Sequence, residues 1–119
     1  FGQPDGSHKK FYSGGKLRYE AIYMSGYLEG DENYYYPNGA LQGHGLYKQG
    51  VALGRHWREH TEGILAFEAH YDAEGALQKP IEEYHTNGSL QRRYREEEGR
   101  YIGEVETWFF DGALCNLVF

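Results

Sequence analysis

The sequence predicts an all-β protein, an elongated antiparallel meander of about eight to ten short strands that curls into a trough. The main observation is a glycine that follows an aromatic ring by three residues and recurs along the chain. These glycines are Gly15, Gly39, Gly63, Gly88 and Gly112, at steps of 24, 24, 25 and 24 residues. Aromatic residues make up 17% of the chain, and they favour the half-buried surface of a sheet.

A second series of glycines lies between the first, at Gly26, Gly50, Gly75 and Gly99. The two series alternate at intervals of 11 to 13 residues. Such an interval leaves room for one strand between successive turns, which is typical of a hairpin meander. All nine glycines are therefore predicted to occupy turns.

The residues around these glycines agree with that prediction. Pro37, Asn38 and Gly39 suit a type I turn that ends in a left-handed glycine. The pairs Asn87-Gly88 and Asp111-Gly112 offer similar positive-φ positions. We expect each glycine to serve the backbone of its turn.

Within the strands, apolar or small residues alternate with polar ones, as in Leu17, Tyr19, Ala21 and Tyr23. A period of two places these side chains on one face of the sheet. Stacking the copies aligns Ala21, Gly45 and Ala69, and small residues at that position would let the sheet curve.

Two eight-residue segments carry a family resemblance, Tyr23–Gly30 (YMSGYLEG) and Tyr47–Gly54 (YKQGVALG). They resemble the core of MORN repeats, in the variant form found in bacterial antitoxins, and the resemblance covers about residues 11–114. It implies one domain over residues 1–119, with four repeats of about 24 residues from Gly15 to Gly112 and atypical ends.

Two copies depart from the pattern. The third lacks the second glycine of the motif and has Lys79-Pro80 there, and the fourth has Glu96 in place of the turn aromatic. Because proline removes a backbone donor from the ladder, the strand at Pro80 is predicted to be irregular or locally exposed.

The segment from His56 to His60 contains H-x-x-E-H, which on a helix would be a zinc protease motif. On a strand, residues four apart are separated by about 13 Å, too far for both imidazoles to bind one metal. His60 and His85 also occupy the aromatic position of their turns, which favours a packing role. We therefore predict no metal, cofactor or catalytic residue.

The chain has 12 basic and 18 acidic residues, a net charge of -6. This balance argues against nucleic acid as a partner, and it disfavours, without excluding, association with an anionic membrane. No apolar run is long enough to span a bilayer. A partner with a basic surface fits the charge better.

Acidic residues next to aromatic ones supply the candidate partner-binding set, since aromatic rings beside charge are typical of binding hot spots. The alternative is that these residues are ordinary solvated strand faces. The candidates are Tyr34, Tyr35, Trp57, Glu82, Glu83, Tyr84, Glu96, Glu97, Glu98, Glu104, Glu106 and Trp108.

The resemblance implies a non-enzymatic antitoxin or immunity protein that neutralises a toxin or secreted effector by direct binding. The alternative is a MORN-type scaffold or a membrane-peripheral, phospholipid-associated organiser. The location is expected to be cytoplasmic, or periplasmic if a signal peptide precedes Phe1. Residues 114–119 would form an exposed sheet edge, to be covered by the first residues, a second copy or the partner. The oligomeric state stays open.

Overall fold

A computed structural model describes residues 5–97 and 99–111 and the backbone of residues 114–118. The described residues form strands joined by turns, with no helix, which confirms the all-β prediction. The strands are β1 (Gly6–Phe11), β2 (Leu17–Met24), β3 (Tyr27–Leu28), β4 (Gly30–Tyr35), β5 (Leu41–Lys48), β6 (Val51–Thr61), β7 (Ile64–Tyr71), β8 (Ile81–Tyr84), β9 (Leu90–Glu97), β10 (Arg100–Trp108) and β11 (Leu114–Val118).

The strands pair in chain order in one open antiparallel sheet, so the meander is confirmed. The short strand β3 pairs with β2 beside this path. The molecule measures 47 × 34 × 23 Å. Because β1 and β11 lie at opposite ends of the sheet, β1 does not cover the β11 edge. Cover by a second copy or by the partner stays a prediction.

Two kinds of turn connect the strands. At Gly39, the N–H donates to Tyr36 O at 2.9 Å and φ is +88°, the left-handed conformation predicted from Pro37-Asn38-Gly39. At Gly50, the turn has two residues, and Gln49 also has a positive φ of 50°. The predicted turn glycines Gly15, Gly26, Gly39, Gly50, Gly63, Gly75, Gly88 and Gly99 all have positive φ, and Gly112 lies outside the described residues.

The ring that precedes each turn links one copy to the next. His60 Nε2 donates to Tyr84 O at 2.7 Å, and His85 Nε2 donates to Trp108 O at 2.8 Å. The hydroxyl of Tyr12 makes the same bond to Tyr35 O at 2.5 Å. The expected packing role of His60 and His85 is thus accompanied by a hydrogen bond that joins residues 23 or 24 positions apart.

The core is a single row of side chains across one face of the sheet. Ala21 and Ala69 are 1% and 0% exposed, and Gly45 is buried in the same row. Ile81 and Tyr94 continue the row beside Ala69 and complete the main apolar cluster. The predicted column of small residues is therefore present, with larger side chains packed over it.

The third copy is irregular, as predicted. In the other copies a glycine forms a bulge with positive φ, at Gly30 (78°), Gly54 (70°) and Gly103 (72°). Lys79 stands at this position in the third copy and is followed by Pro80. There Leu77 makes an isolated bridge to Tyr71, and β8 begins only at Ile81.

Candidate partner-binding surface

One face of the sheet, here called the aromatic face, carries a cross-strand ladder of rings and cations. The rings of Tyr19 and Tyr34 lie 5.0 Å apart. Lys10 Nζ lies 5.3 Å from the Tyr19 ring, and the Arg58 guanidinium lies 4.8 Å from the Tyr34 ring. Arg58 reaches Tyr34 across Gly43, where any side chain would collide with it. This face therefore alternates positive charge with aromatic surface.

At the centre of the aromatic face lies His56, which is 7% exposed. Its ring makes edge contacts with Tyr47 and Tyr71, at centroid distances of 5.0 and 5.2 Å. Nε2 lies 3.0 Å from Leu46 O and 3.2 Å from Leu46 N. Burial lowers the pKa of His56, so the neutral imidazole is the form that the fold favours.

On the opposite face, here called the ion-pair face, arginines neutralise the carboxylates. Arg93 lies 3.0 Å from Glu82 and 3.8 Å from Glu106, and its guanidinium lies 5.4 Å from the Trp108 ring. On the neighbouring strands, Arg55 binds Glu68 and stacks on Trp57. These carboxylates are engaged within the chain, which leaves less charge for a partner.

The structure divides the predicted partner-binding residues among separate surfaces. Tyr34 and Glu83 lie on the aromatic face, where Arg92 pairs with Glu83 at 3.6 Å. Glu96, Glu97 and the exposed Glu104 lie toward the strand ends near the last described turn. Glu98 lies outside the described residues. The ion-pair face holds Tyr35, Trp57, Glu82, Tyr84, Glu106 and Trp108.

Carboxylates hold two of the predicted tyrosines in their neutral form. Tyr35 donates its hydroxyl to Glu20 at 2.5 Å, and this bond raises the pKa of Tyr35 to about 12. Burial, together with the bond to Glu82, raises the pKa of Tyr84 to about 12. Both hydroxyls are thus committed to neighbours on the ion-pair face.

Exposed apolar side chains at the ends of the strands were missed by the sequence reasoning. One end, here called the Gly50 end, carries the turns at Gly26, Gly50, Gly75 and Gly99. The exposed apolar residues there are Ile22, Met24, Tyr27, Leu46, Val51, Tyr101 and Ile102, and those at the other end are Phe11, Leu41, Phe109 and Phe110. All lie within a few residues of a turn glycine, and that position is the signal that could have found them.

Two segments of the chain, residues 4–24 and 28–49, match the family model of the MORN repeat variant. Over these segments the chain is similar to MORN-variant repeats. The later copies lie outside the matched residues and keep the same period and turn positions. Neither curated proteins nor solved structures give a match to the chain.

MORN repeats suggest a binding or scaffold module, and the proteins that contain them are generally non-enzymatic. The H-x-x-E-H segment lies within β6, a strand, so it lacks the helix that the zinc motif requires. Among residues 5–97 and 99–111 no group of three or more His, Cys, Asp or Glu is placed to hold a metal ion. Nor does this part of the chain contain a helix of the length and hydropathy needed to cross a bilayer.

Proposed function

We propose that this MORN-repeat chain is a non-enzymatic protein-binding module, and specifically an antitoxin or immunity protein that neutralises a toxin or secreted effector by direct binding. The support is an open repeat sheet that exposes apolar side chains at both ends of its strands. Exposed apolar groups of this kind, bordered by polar residues, are typical of protein interaction sites.

The exposed apolar residues of the Gly50 end are the main support for this proposal. Met24 and Tyr27 flank one turn and are 58% and 57% exposed, and Tyr101 at the last described turn of this end is 56% exposed. Val51, which follows the turn at Gly50, is exposed between them. A large partner surface laid along this end would bury aromatic or aliphatic side chains from the first, second and fourth copies.

Charge gives the module a preference among partners. On the ion-pair face Glu68, Glu82 and Glu106 are paired with arginines. By contrast Glu74, Glu96 and Glu97 at the Gly50 end form no ion pair with another described residue. With a net charge of -6, the chain would associate faster with a basic partner than with an acidic one.

Co-expression with the genes next to its own tests the function. We expect one neighbour to be toxic alone, to be rescued by this chain, and to co-purify with it. Met24→Ser combined with Tyr101→Ser should weaken that complex by about tenfold or more, because two exposed anchors are lost. Lys16→Ser, at the opposite strand end, is the matched control. If no neighbour is retained and no toxicity is relieved, the proposal is wrong.

A membrane-peripheral scaffold is the second candidate. A cleft of about 350 Å³ on the aromatic face is lined by Lys10 and Arg18 together with Tyr12, Tyr19, Tyr34 and Gln42, with no carboxylate among these lining residues. That chemistry suits an anionic headgroup. Flotation with phosphatidylserine vesicles tests it: binding should fade with added salt and be lost in Lys10→Gln/Arg18→Gln. Equal flotation of that variant would contradict this candidate.

A further inference from the structure

The stacking of successive turns breaks at one place on the Gly50 end. The Gly50 N–H donates to Leu28 O of the preceding copy at 2.8 Å, and a Cβ on Gly50 would lie 3.0 Å from the Tyr27 ring. The turn at Gly75 packs against the turn at Gly50 in the same way, since a Cβ on Gly75 would collide with Val51. A Cβ on Gly99 would have no described atom within 4 Å. The last two turns of this end are therefore separated.

The sequence of the third copy explains the gap. Pairing of β8 with β9 begins at Ile81 opposite Tyr94, whereas in the first copy the bulge glycine Gly30 already pairs with Tyr47. Lys79 replaces that glycine, and Pro80 has no N–H to offer. Among the described residues, positions 95–97 of β9 thus pair with β10 on one side and have no strand on the other.

The gap is a cleft of about 620 Å³, here called the notch. Leu77, Ile81 and Ile102 give it apolar walls. Glu74, Glu96 and Glu97 line it together with Arg95, so carboxylates exceed cations. Unlike Glu82 and Glu83, these three glutamates form no ion pair with a described residue.

We propose that the notch binds an extended, basic segment of a protein partner, which adds as a strand alongside residues 95–97 of β9. Its backbone would pair with the free groups of β9, the usual source of affinity in strand addition. Register places Glu96 on the same face as Leu77, and Glu97 on the same face as Ile102, so each face of the added strand would meet one apolar and one acidic residue. The partner segment would therefore carry Lys or Arg next to apolar residues on both of its faces. This inference deepens the proposed protein-binding function, on which it rests.

The first test uses the purified full chain and an immobilised array of heptapeptides that combine Arg or Lys with Val, Ile or Leu in every order. A matched array carries Glu or Asp in place of the basic residues. We expect the basic array to retain the chain at least about tenfold more strongly, through charge complementarity. Equal retention on both arrays, or none on the basic array, overturns the proposal.

Three variants locate the binding, with fluorescence anisotropy of the best basic heptapeptide as readout. Glu96→Gln/Glu97→Gln should weaken binding about tenfold, while Glu104→Gln, an exposed carboxylate outside the notch, should leave it unchanged. Lys79→Gly/Pro80→Thr restores the bulge glycine of the other copies and should close the notch, abolishing binding. Undiminished binding by this repaired, folded variant contradicts the proposal.

Hydrogen exchange gives a readout that does not depend on a variant folding. The basic heptapeptide should slow exchange of amides within residues 95–97, and protection confined to other strands would overturn the site. The two proposals fail separately. If a co-purified neighbour binds the repaired variant as tightly as the natural chain, the notch proposal is wrong and the protein-binding function is supported. If the basic array binds the chain at the notch but no neighbour co-purifies, the notch proposal is supported and the antitoxin function is not.

Discussion

The imidazole of His56 occupies the space above Gly45, so that a Cβ added to Gly45 would lie 2.6 Å from His56 Nδ1. The two residues lie on paired strands in the central row of the aromatic face. A small residue on one strand thus makes room for a ring from the next.

Gly45→Ala should destabilise the fold, because the buried ring is held by Tyr47 and Tyr71 and cannot move aside freely. We expect a loss of about 1–3 kcal/mol in the free energy of unfolding, the usual cost of overpacking. Urea denaturation measures it. Gly14→Ala is the control, since a Cβ there meets no described atom within 4 Å and its φ is not positive. Equal stability of the two variants would show that the ring moves away.

The lowered pKa of His56 predicts a pH dependence of stability. The unfolded chain binds a proton near the usual value of 6.5, while the folded chain binds it only at lower pH. The contribution of His56 is therefore complete above pH 6.5 and is lost as pH falls through the folded pKa.

The measurement is the free energy of unfolding from about pH 7.5 to 5.5, for the natural chain and for His56→Phe. The natural chain should lose stability over this range, and the variant should lose less. Burial raises the pKa of Glu68, but Arg55 lowers it by more, so the pKa lies below its usual value of 4.5. Glu68 therefore reduces stability only below pH 4.5, outside the measured range. Parallel curves for the two proteins would rule out His56 as the titrating group.

Gln49 adopts a φ of 50° in its two-residue turn, a conformation that side chains with a Cβ disfavour. Gln49→Gly should raise the free energy of unfolding by about 0.5–1 kcal/mol, since glycine reaches this conformation at little steric cost. Its backbone N–H would still donate to Glu29 Oε1. Gln49→Ala keeps the Cβ and should give no gain in thermal denaturation. A gain in both variants would assign the effect to the lost amide side chain instead.

Arg93 joins Glu82, Glu106 and Trp108 on the ion-pair face. Because its side chain is 38% exposed, Arg93→Gln should cost only about 1 kcal/mol or less, a cost that shrinks with added salt. Arg100→Gln, an exposed arginine without an ion pair among the described residues, should change stability by less than about 0.5 kcal/mol. A salt-independent loss in the Arg93 variant would mean that packing on Trp108, rather than charge, is responsible.

The glycine period was enough to predict the fold, because a turn every 11 to 13 residues allows one strand between turns and little else. The irregularity of the third copy was also predicted, from Pro80. The binding surface could not be predicted in the same way. Tyr34 and Tyr35 are adjacent in sequence and therefore point to opposite faces, one toward Arg58 and the other toward Glu20.

The ion pairs were also beyond the reach of the sequence. Glu82 faces Arg93, and Glu83 faces Arg92, only because the β8 and β9 strands pair in one particular register. A shift by one residue would have exchanged the faces of both strands. The exposed apolar residues at the turns escaped notice for a different reason, since Tyr27 and Tyr101 look like core residues until the strand ends are placed.

In three of the four units, the ring at the start of the unit donates a hydrogen bond to a backbone carbonyl just before the next unit begins, from Tyr12 to Tyr35 O, from His60 to Tyr84 O and from His85 to Trp108 O. In the second unit the hydroxyl of Tyr36 donates to the side chain of Glu59 instead. Duplicating or deleting one of these three units would keep the ring-to-carbonyl bond at its junctions with units of the same kind, so the array can change length with little redesign. Evolution could thus lengthen this scaffold by simple gene duplication, and a protein engineer could do the same.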